Sequence, residues 1–325
     1  MQNARRTAAL AFAVLTCLAS GAALAKDKVI VCSSAEDYRN AYFAERMKKA
    51  LPGIDVFIDY YPTGNHAAKL FAEGSRSACD ITYDMEFAYL EKLKDKLAVL
   101  KDYDQSVFTD DFIRADGKWL PSYRNGGAVI LNTAVLKAKG LPEPRSYEDL
   151  LDSRYKGLVS MPNPKTSGTG YMFLANLAQV MGEKKAIEYF EKLSENILQF
   201  TSSGSGPVKA LVQSEAAIGL GMTGHAALEI GRGAPLKITF FKEGSPYTLY
   251  GMGVVKGKEA RPAVQKVVRF FYEHLTEENN AKFFPEKVFR NKDFRLPNFP
   301  ERIVYADMGE DSLARKERLL ELWDF

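Results

Sequence analysis

Short apolar runs alternate with amphipathic segments along the chain from about residue 28 onward. The first three runs, which are typical of buried strands, lie at 28–32, 54–58 and 80–84. Each run is followed by a helical pattern with apolar residues three or four positions apart, such as Phe43, Met47 and Leu51. Strands that alternate with helices in this way predict a mostly parallel sheet with helices on both faces.

The same alternation continues to the end of the chain. It predicts strands at 128–132, 158–161, 217–221 and 250–255, and helices at 146–151, 171–181, 186–197, 208–213, 264–271 and 311–322. No linker rich in Pro, Gly or Ser divides the chain, although 325 residues are enough for two domains of ordinary size. We therefore expect two lobes that are joined by crossing strands rather than by a tether.

The first 25 residues have the pattern of a secretory signal peptide. Arg5 and Arg6 precede an apolar, alanine-rich stretch at 8–23, and the run Ala-Leu-Ala at 23–25 fits a cleavage site with small residues. We expect cleavage before Lys26 and export to the periplasm. An uncleaved membrane anchor is the alternative.

Composition limits the class of function. The chain has 46% hydrophobic residues, which is enough for a large core, and 44 basic against 41 acidic residues without a basic stripe, which argues against nucleic-acid binding. It contains no HExxH, GxSxG or Walker motif and no Cys/His cluster, so we expect no catalytic residues, no metal and no other cofactor. Cys32 and Cys79 remain after cleavage and form either one disulfide or two buried free thiols.

Four loops that end a predicted strand or precede a predicted helix carry small hydroxyl residues. These loops are Ser33-Ser34, Thr63-Gly64-Asn65, 166–170 and 201–206. In an open α/β sheet, ligands bind at the carboxyl ends of strands, where helix N-termini present unpaired N–H groups and partial positive charge. Several such loops around one cleft predict an anion site with few Lys or Arg residues. Plain helix capping is the alternative, except at 167–170, where two glycines beside a hydroxyl favour ligand contact.

A few other side chains are candidates for the same cleft. His225 directly follows an apolar strand, whereas His66 follows Asn65 at a helix start and is expected to be solvated; a structural role is the alternative for His225. Asp84 and Glu86 follow the third strand, where they accept hydrogen bonds from hydroxyl or ammonium groups or act as helix-start acids. Tyrosines near loop ends suit recognition of polyols or ammonium groups, or packing; they are Tyr60, Tyr61, Tyr83, Tyr123 and Tyr171.

Several segments, taken in order, resemble one family. They are the opening strand at 29–34, the segments 63–70 and 79–84, the strand at 126–132, the loop at 163–170, the turn at 242–244, and 251–256 with the helix after it. Together they resemble the extracellular solute-binding proteins of ABC importers, in particular the ferric-iron-binding-like group. The resemblance implies a two-lobed, type II periplasmic-binding fold with hinge strands near 123–127 and 247–253. The expected lobes are 26–124 with 251–288, and 125–250 with 289–325.

The resemblance also bears on the ligand. Ferric members carry a tyrosine pair after the strand equivalent to 217–221, but this chain has Thr-Gly-His-Ala at 223–226, and Fe³⁺ needs anionic oxygen ligands. Relatives without the tyrosine pair resemble organophosphate carriers, in which the loop matching Ser167, Gly168 and Thr169 holds the anion. The expected ligand residues are Ser34, Asn65, Asp84, Arg124, Ser167, Gly168, Thr169, Ser202, Ser203, Thr223, His225 and Glu243. Among them, Arg124 either adds positive charge or forms a surface ion pair.

These patterns predict a periplasmic receptor of an ABC importer. We expect it to capture a small anionic solute, a sugar phosphate or a phosphonate, by closure of the two lobes. The expected partners are this solute and the inner-membrane permease, and we expect a monomer. The alternatives are a ferric-iron-binding protein that uses a synergistic anion, a secreted phosphoesterase-like enzyme, and a sensor that passes its closed form to a membrane receptor.

Overall fold

The computed structural model describes residues 26–114, 116–309 and 312–325, so the expected signal peptide at 1–25 lies outside the described residues. Within these ranges the strands are β1 (Asp27–Ser33), β2 (Ile54–Tyr60), β3 (Ile81–Glu86), β4 (Leu120–Asn132), β5 (Val159–Pro162), β6 (Ile197–Thr201), β7 (Ile218–Met222), β8 (Leu236–Thr239) and β9 (Tyr247–Val254). The α-helices are α1 (Asp37–Ala50), α2 (Thr63–Glu73), α3 (Phe87–Leu93), α4 (Thr133–Ala138), α5 (Gly168–Met181), α6 (Glu183–Ser194), α7 (Gly206–Val212), α8 (Thr223–Gly231), α9 (Pro262–Phe270), α10 (Thr276–Lys282) and α11 (Leu313–Leu322). In this part of the chain, no helix has both the length and the apolar character that crossing a bilayer requires.

The strands form one sheet that runs through both halves of the molecule. Its order is β2-β1-β3-β9-β4-β7-β5-β6, and β8 pairs with β4 beside this path. β1 is parallel to β2 and β3, and β5 is parallel to β6 and β7. The long strands β4 and β9 are antiparallel to each other, paired from Leu120 with Met252 to Gly126 with Tyr247. This arrangement confirms the predicted fold class of two lobes with flanked sheets that crossing strands join.

Each lobe has its own hydrophobic core. The core of the first lobe includes Val29, Val31, Phe43, Val264 and Phe271. The core of the second lobe includes Phe173, Leu174, Phe190, Ile218 and Trp323. Each such side chain contributes about 1.5–3 kcal/mol when it is fully buried. Phe289 packs with Phe108 and Trp119 of the first lobe, next to the expected boundary at 288, and the lobe boundaries stay a prediction.

A disulfide joins Cys32 of β1 to Cys79, which lies two residues before β3. The two Cα atoms are 5.6 Å apart, within the usual range for a disulfide. Of the two states that the sequence left open, the structure therefore has the disulfide. The bond links β1 to the segment that immediately precedes its parallel neighbour β3.

Several elements differ from the sequence predictions. β6 and β8 were not predicted, because each lies at an edge of the pairing path and neither has a regular alternation of buried and exposed residues. The predicted helix at 146–151 is a short 3-10 turn, Glu148–Leu151. The unpredicted helix α8 begins immediately after β7, so His225 lies in a helix rather than in a loop.

Candidate functional site

A cleft of about 160 Å³ lies between the lobes at the carboxyl ends of β1, β5 and β6. Its first-lobe wall consists of Ser34, Glu36, Asp37, Tyr60, Pro62, Thr63 and Asp84. Its second-lobe wall consists of 166–169, 202–205 and Lys209. Tyr123, Asn125 and Tyr250, from the crossing strands, complete the lining. Most of these side chains are hydroxyls or charged groups, so the cleft suits a polar solute.

The start of α5 forms the centre of the second-lobe wall. Ser167 is the residue before the helix, and its side chain makes no capping hydrogen bond, whereas Asn132 and Ser312 cap α4 and α11 through their side chains. Capping therefore does not account for the Ser167 hydroxyl. The first N–H groups of a helix have no acceptor within the helix, and they carry partial positive charge. This end of the cleft can therefore bind an anion.

Gly168 is needed where α5 meets the crossing strands. A Cβ at Gly168 would lie 2.2 Å from the hydroxyl of Tyr250 and 2.5 Å from Oε1 of Glu86. No side chain fits in that space, so the glycine lets the first turn of α5 approach both groups. The glycine therefore serves close packing behind the anion site.

Asn125 connects the crossing strand β4 to the second-lobe wall. Its Nδ2 donates a hydrogen bond of 3.2 Å to Oγ1 of Thr169. Its Oδ1 is buried and has no hydrogen-bond partner, although Asn125 lines the cleft. A buried acceptor without a donor is costly, which makes this atom a candidate ligand contact.

A fully buried arginine lies behind the first-lobe wall. Arg39 of α1 donates to Oε2 of Glu36 at 2.9 Å and to Oδ1 of Asp84 at 2.8 Å. It also donates to the hydroxyl of Tyr123 at 3.1 Å and to Asn279 at 3.0 Å. All of these contacts hold the guanidinium away from the cleft while they fix the two carboxylates at its edge.

Asp84 is held in an unusual state by this cluster. Its φ of 60° lies in the left-handed region, which is uncommon for a residue other than glycine. Burial raises the pKa of Asp84 to about 6, although the charge of Arg39 opposes this shift. Asp84 is thus a carboxylate in the cleft lining whose ionisation depends on its burial and on the neighbouring charge of Arg39.

His66 supports Ser34 from inside the first lobe. Its Nδ1 lies 2.9 Å from Oγ of Ser34, and its Nε2 lies 3.1 Å from Oγ1 of Thr82. Burial, and then the charge of Lys69, lowers the pKa of His66 to about 3, so the ring is neutral at pH 7. The expectation that His66 is solvated was wrong, because α2 begins at Thr63 and turns the ring inward.

The structure brings together seven of the twelve expected ligand residues. Those in the cleft lining are Ser34, Asp84, Ser167, Gly168, Thr169, Ser202 and Ser203. Those outside it are Asn65, Arg124, Thr223, His225 and Glu243. Ligand contact by any of them stays a prediction.

The five residues outside the lining have other surroundings. Arg124 forms an ion pair with Asp111, the alternative that the sequence left open, and its side chain lies over the Tyr247 ring. His225 is buried 3.7 Å from Glu229 and stacks on Tyr38. Three more residues are displaced by the local fold: Asn65 is exposed on α2, Thr223 is buried at the start of α8, and Glu243 lies in a turn of the second lobe.

Sequence reasoning missed several residues of the site. They are Glu36, Asp37, Arg39, Asn125, Lys209 and Tyr250. Arg39 had a readable signal, because it lies four and eight positions before Phe43 and Met47, on the buried face of their helix. The other five have no comparable signal. Asn125 and Tyr250 come from the crossing strands, Glu36 and Asp37 from the start of α1, and Lys209 from α7.

The described residues contain no group of three or more His, Cys, Asp or Glu side chains arranged to hold a metal ion. The position of the ferric tyrosine pair is occupied by the buried start of α8. The described part of the chain thus offers hydroxyl groups and helix N–H groups rather than such a cluster of metal ligands.

Comparison with known proteins identifies the family. A family model described as bacterial extracellular solute-binding protein matches residues 84–310. An uncharacterized protein of Haemophilus influenzae is 31% identical over 250 residues, which cover 73% of this chain and 70% of that protein.

Solved structures share the fold. The periplasmic binding protein AfuA from Actinobacillus pleuropneumoniae, with exogenous fructose 6-phosphate bound, is 25% identical with a TM-score of 0.80, over 92% of this chain and 98% of AfuA. The periplasmic binding protein P5PA has a TM-score of 0.80 at 22% identity, over 92% and 98% of the two chains. Iron-bound HitA from Pseudomonas aeruginosa has a TM-score of 0.71 at 19% identity, over 91% and 98%. The chain belongs to the bacterial extracellular solute-binding proteins.

Proposed function

We propose that this protein captures a small organophosphate, a sugar phosphate or a phosphonate, in the cleft between its lobes. The observation that carries the proposal is the first turn of α5, where Ser167, Gly168 and Thr169 line the same cleft as Ser202 and Ser203. A phosphoryl group has several acceptor oxygens and negative charge, and both match this collection of donors. Binding of fructose 6-phosphate by AfuA, at 25% identity, supports the same ligand class.

Each wall has its own part in this proposal. Ser167, Gly168 and Thr169 hold the phosphoryl oxygens through helix N–H groups and hydroxyls, with help from Ser202 and Ser203. On the opposite wall, Ser34 and Asp84 contact the organic part. The expected ligand residues outside the lining are not needed, because Asn125 and Lys209 supply further polar contacts.

The bound solute is expected to be delivered to an ABC permease. Closure of the lobes on the solute buries it, and the closed form is what the permease recognises. We further propose that the protein is exported to the periplasm through its first 25 residues, acts as a monomer and does not transform its ligand.

Isothermal titration calorimetry tests the ligand class. The probes are fructose 6-phosphate, fructose, inorganic phosphate, 2-aminoethylphosphonate and ferric citrate. We expect at least one organophosphate to bind and fructose to fail, because the phosphoryl group supplies the charge. Binding of ferric citrate with no organophosphate binding would overturn the proposal in favour of an iron receptor.

Variants locate the site. Ser167→Ala is expected to weaken the organophosphate by about ten-fold, the value of one hydrogen bond to a charged group. Ser153→Ala is the control, because Ser153 is exposed on a turn that does not line the cleft. Equal affinities of the two variants would place the anion elsewhere.

A further inference from the structure

The two walls of the cleft differ in charge. The second-lobe wall carries hydroxyl groups, the start of α5 and one cation, Lys209. The first-lobe wall carries three carboxylates, Glu36, Asp37 and Asp84. A ligand that is uniformly negative matches only the second-lobe wall.

Arg39 does not remove this difference. Its side chain is fully buried and already pairs with Glu36 and Asp84, so its one positive charge offsets only one of three negative charges. Asp37 is exposed at the first position of α1. With all three carboxylates ionised, a net charge of about two negative units remains on the first-lobe wall.

A second observation also indicates a donor on the ligand. The Oδ1 atom of Asn125 lacks a hydrogen-bond partner, and the residue is 1% exposed while it lines the cleft. This atom accepts and cannot donate, so a ligand group that contacts it carries an N–H or O–H group. The ring of Tyr60, which is 41% exposed in the same lining, offers an aromatic face as well.

On the basis of the proposed function, we propose that the ligand is an organophosphate that carries a protonated amine. The phosphoryl group binds at the start of α5, and the ammonium group binds among Glu36, Asp37 and Asn125. An ammonium group has three donors, no acceptor and a positive charge, so it satisfies the carboxylates and the Asn125 oxygen together. A neutral hydroxyl supplies one donor and leaves the negative charge of the first-lobe wall facing the phosphoryl group.

Matched ligand pairs test this inference by calorimetry. Glucosamine 6-phosphate is compared with glucose 6-phosphate, and 2-aminoethylphosphonate with ethylphosphonate; within each pair the amine is the relevant change. We expect the amine-bearing member of at least one pair to bind about ten-fold more tightly or better, the size of one charge-assisted contact. Equal affinities within both pairs, with measurable binding, would overturn the inference and leave the proposed function intact. Failure of all four probes and of fructose 6-phosphate would overturn both.

A charge-neutralising variant assigns the preference to the first-lobe wall. Asp37→Asn removes one negative charge from an exposed position, and we expect it to reduce the preference for the amine while the affinity of the amine-free partner is kept or increased. Asp55→Asn, an exposed acid at the far end of β2, is the control and is expected to leave the preference unchanged. Glu36→Gln is the second variant of this wall. If Asp37→Asn and Glu36→Gln both keep the full preference for the amine-bearing ligand, the inference is overturned.

Discussion

Gly64 and Lys165 lie on opposite lobes and approach so closely that a Cβ on Gly64 would lie 2.2 Å from the carbonyl oxygen of Lys165. Gly64 is in the first turn of α2, in the first lobe, and Lys165 is in the loop before α5, in the second lobe. Their neighbours Thr63 and Thr166 line the cleft. The lobes therefore touch at this point in the described arrangement.

Gly64→Ala is expected to prevent this contact. The added methyl group meets a backbone atom, which cannot rotate away, so the lobes must separate by a fraction of an ångström or more. We expect the affinity for whichever phosphorylated probe the natural protein binds to fall by about ten-fold or more, as measured by calorimetry. Gly53→Ala is the control, because a Cβ there meets nothing within 4 Å. Equal loss in both variants would contradict the role of the contact.

The disulfide is expected to be a large contributor to stability. Cys32 and Cys79 are separated by 47 positions. In the chain-entropy model, closing a loop of this length lowers the entropy of the unfolded chain, which raises its free energy by about 4 kcal/mol at 25 °C. The double variant Cys32→Ala with Cys79→Ala is expected to show a lower free energy of unfolding in urea, by about 2–4 kcal/mol. The natural protein, measured in reductant, serves as the comparison. An unchanged urea midpoint would show that the bond does not stabilise the fold.

The sequence predicted the fold because hydrophobic periodicity dominates the elements that build the cores. Val264, Val267, Val268 and Phe271 recur at helical spacing, and all four are buried. β6 and β8 escaped prediction because neither alternates regularly between more and less buried positions, whereas the edge strand β2 does. Secondary structure was therefore predictable where burial follows a regular period along the chain.

The site was predictable only where local backbone chemistry determines it. The hydroxyl loops after β1, β5 and β6 meet at one cleft, as the strand-end rule predicts. The glycine at 168 was interpreted as opening the backbone to a ligand. In the structure this backbone also packs closely against Tyr250 and Glu86, which the sequence did not indicate. His225 was expected in the cleft but lies outside its lining. The end of β7 pairs with the crossing strand β4, and α8, which follows, directs the His225 ring toward Tyr38. The surroundings of Gly168 and His225 depend on tertiary packing, which cannot be inferred from a single sequence.

Glu286 is expected to make stability depend on pH. It is buried beside the crossing strand β4, where it accepts hydrogen bonds from the Gly126 N–H at 2.9 Å and the Tyr305 hydroxyl at 2.8 Å. Burial raises its pKa to about 7, although Tyr305, Arg124 and Gly126 oppose the shift. The unfolded chain releases this proton near the ordinary value of about 4.3, so between there and about 7 the folded protein binds more protons. The free energy of unfolding is therefore expected to fall as pH rises through this window.

Glu286→Gln removes this titration, so it is expected to change how steeply the free energy of unfolding depends on pH. The stability of the variant relative to the natural protein should rise between pH 4.5 and 7, by about 3 kcal/mol at most. Urea unfolding at several pH values measures the difference, in which the shared titrations of Asp84 and His66 cancel. A constant difference across the window would mean that Glu286 ionises in the folded protein as freely as in the unfolded chain.

Lys316 is expected to hold the lobes together from behind the anion site. This residue of α11 forms a buried ion pair with Glu86 at the end of β3, and its ammonium group lies 3.8 Å from the centre of the Tyr171 ring. Glu86 in turn lies directly behind Gly168. Lys316→Met leaves the Glu86 carboxylate buried without this cation, which is expected to cost about 3–5 kcal/mol of unfolding free energy. It is also expected to weaken organophosphate binding, because the negative charge of Glu86 then faces the start of α5 without the Lys316 ammonium group beside it.

Two further variants separate charge from packing. Glu86→Gln combined with Lys316→Met removes both charges, so it is expected to recover most of the lost stability and ligand affinity. Lys92→Met breaks the exposed pair with Glu317, which joins α3 to α11, and is expected to cost at most about 1 kcal/mol because water screens that pair. Urea unfolding and calorimetry on the four proteins measure both effects. If the double variant is no more stable than Lys316→Met, then the lysine acts through its packing against the Tyr171 ring, and the charge of Glu86 has no part in the effect.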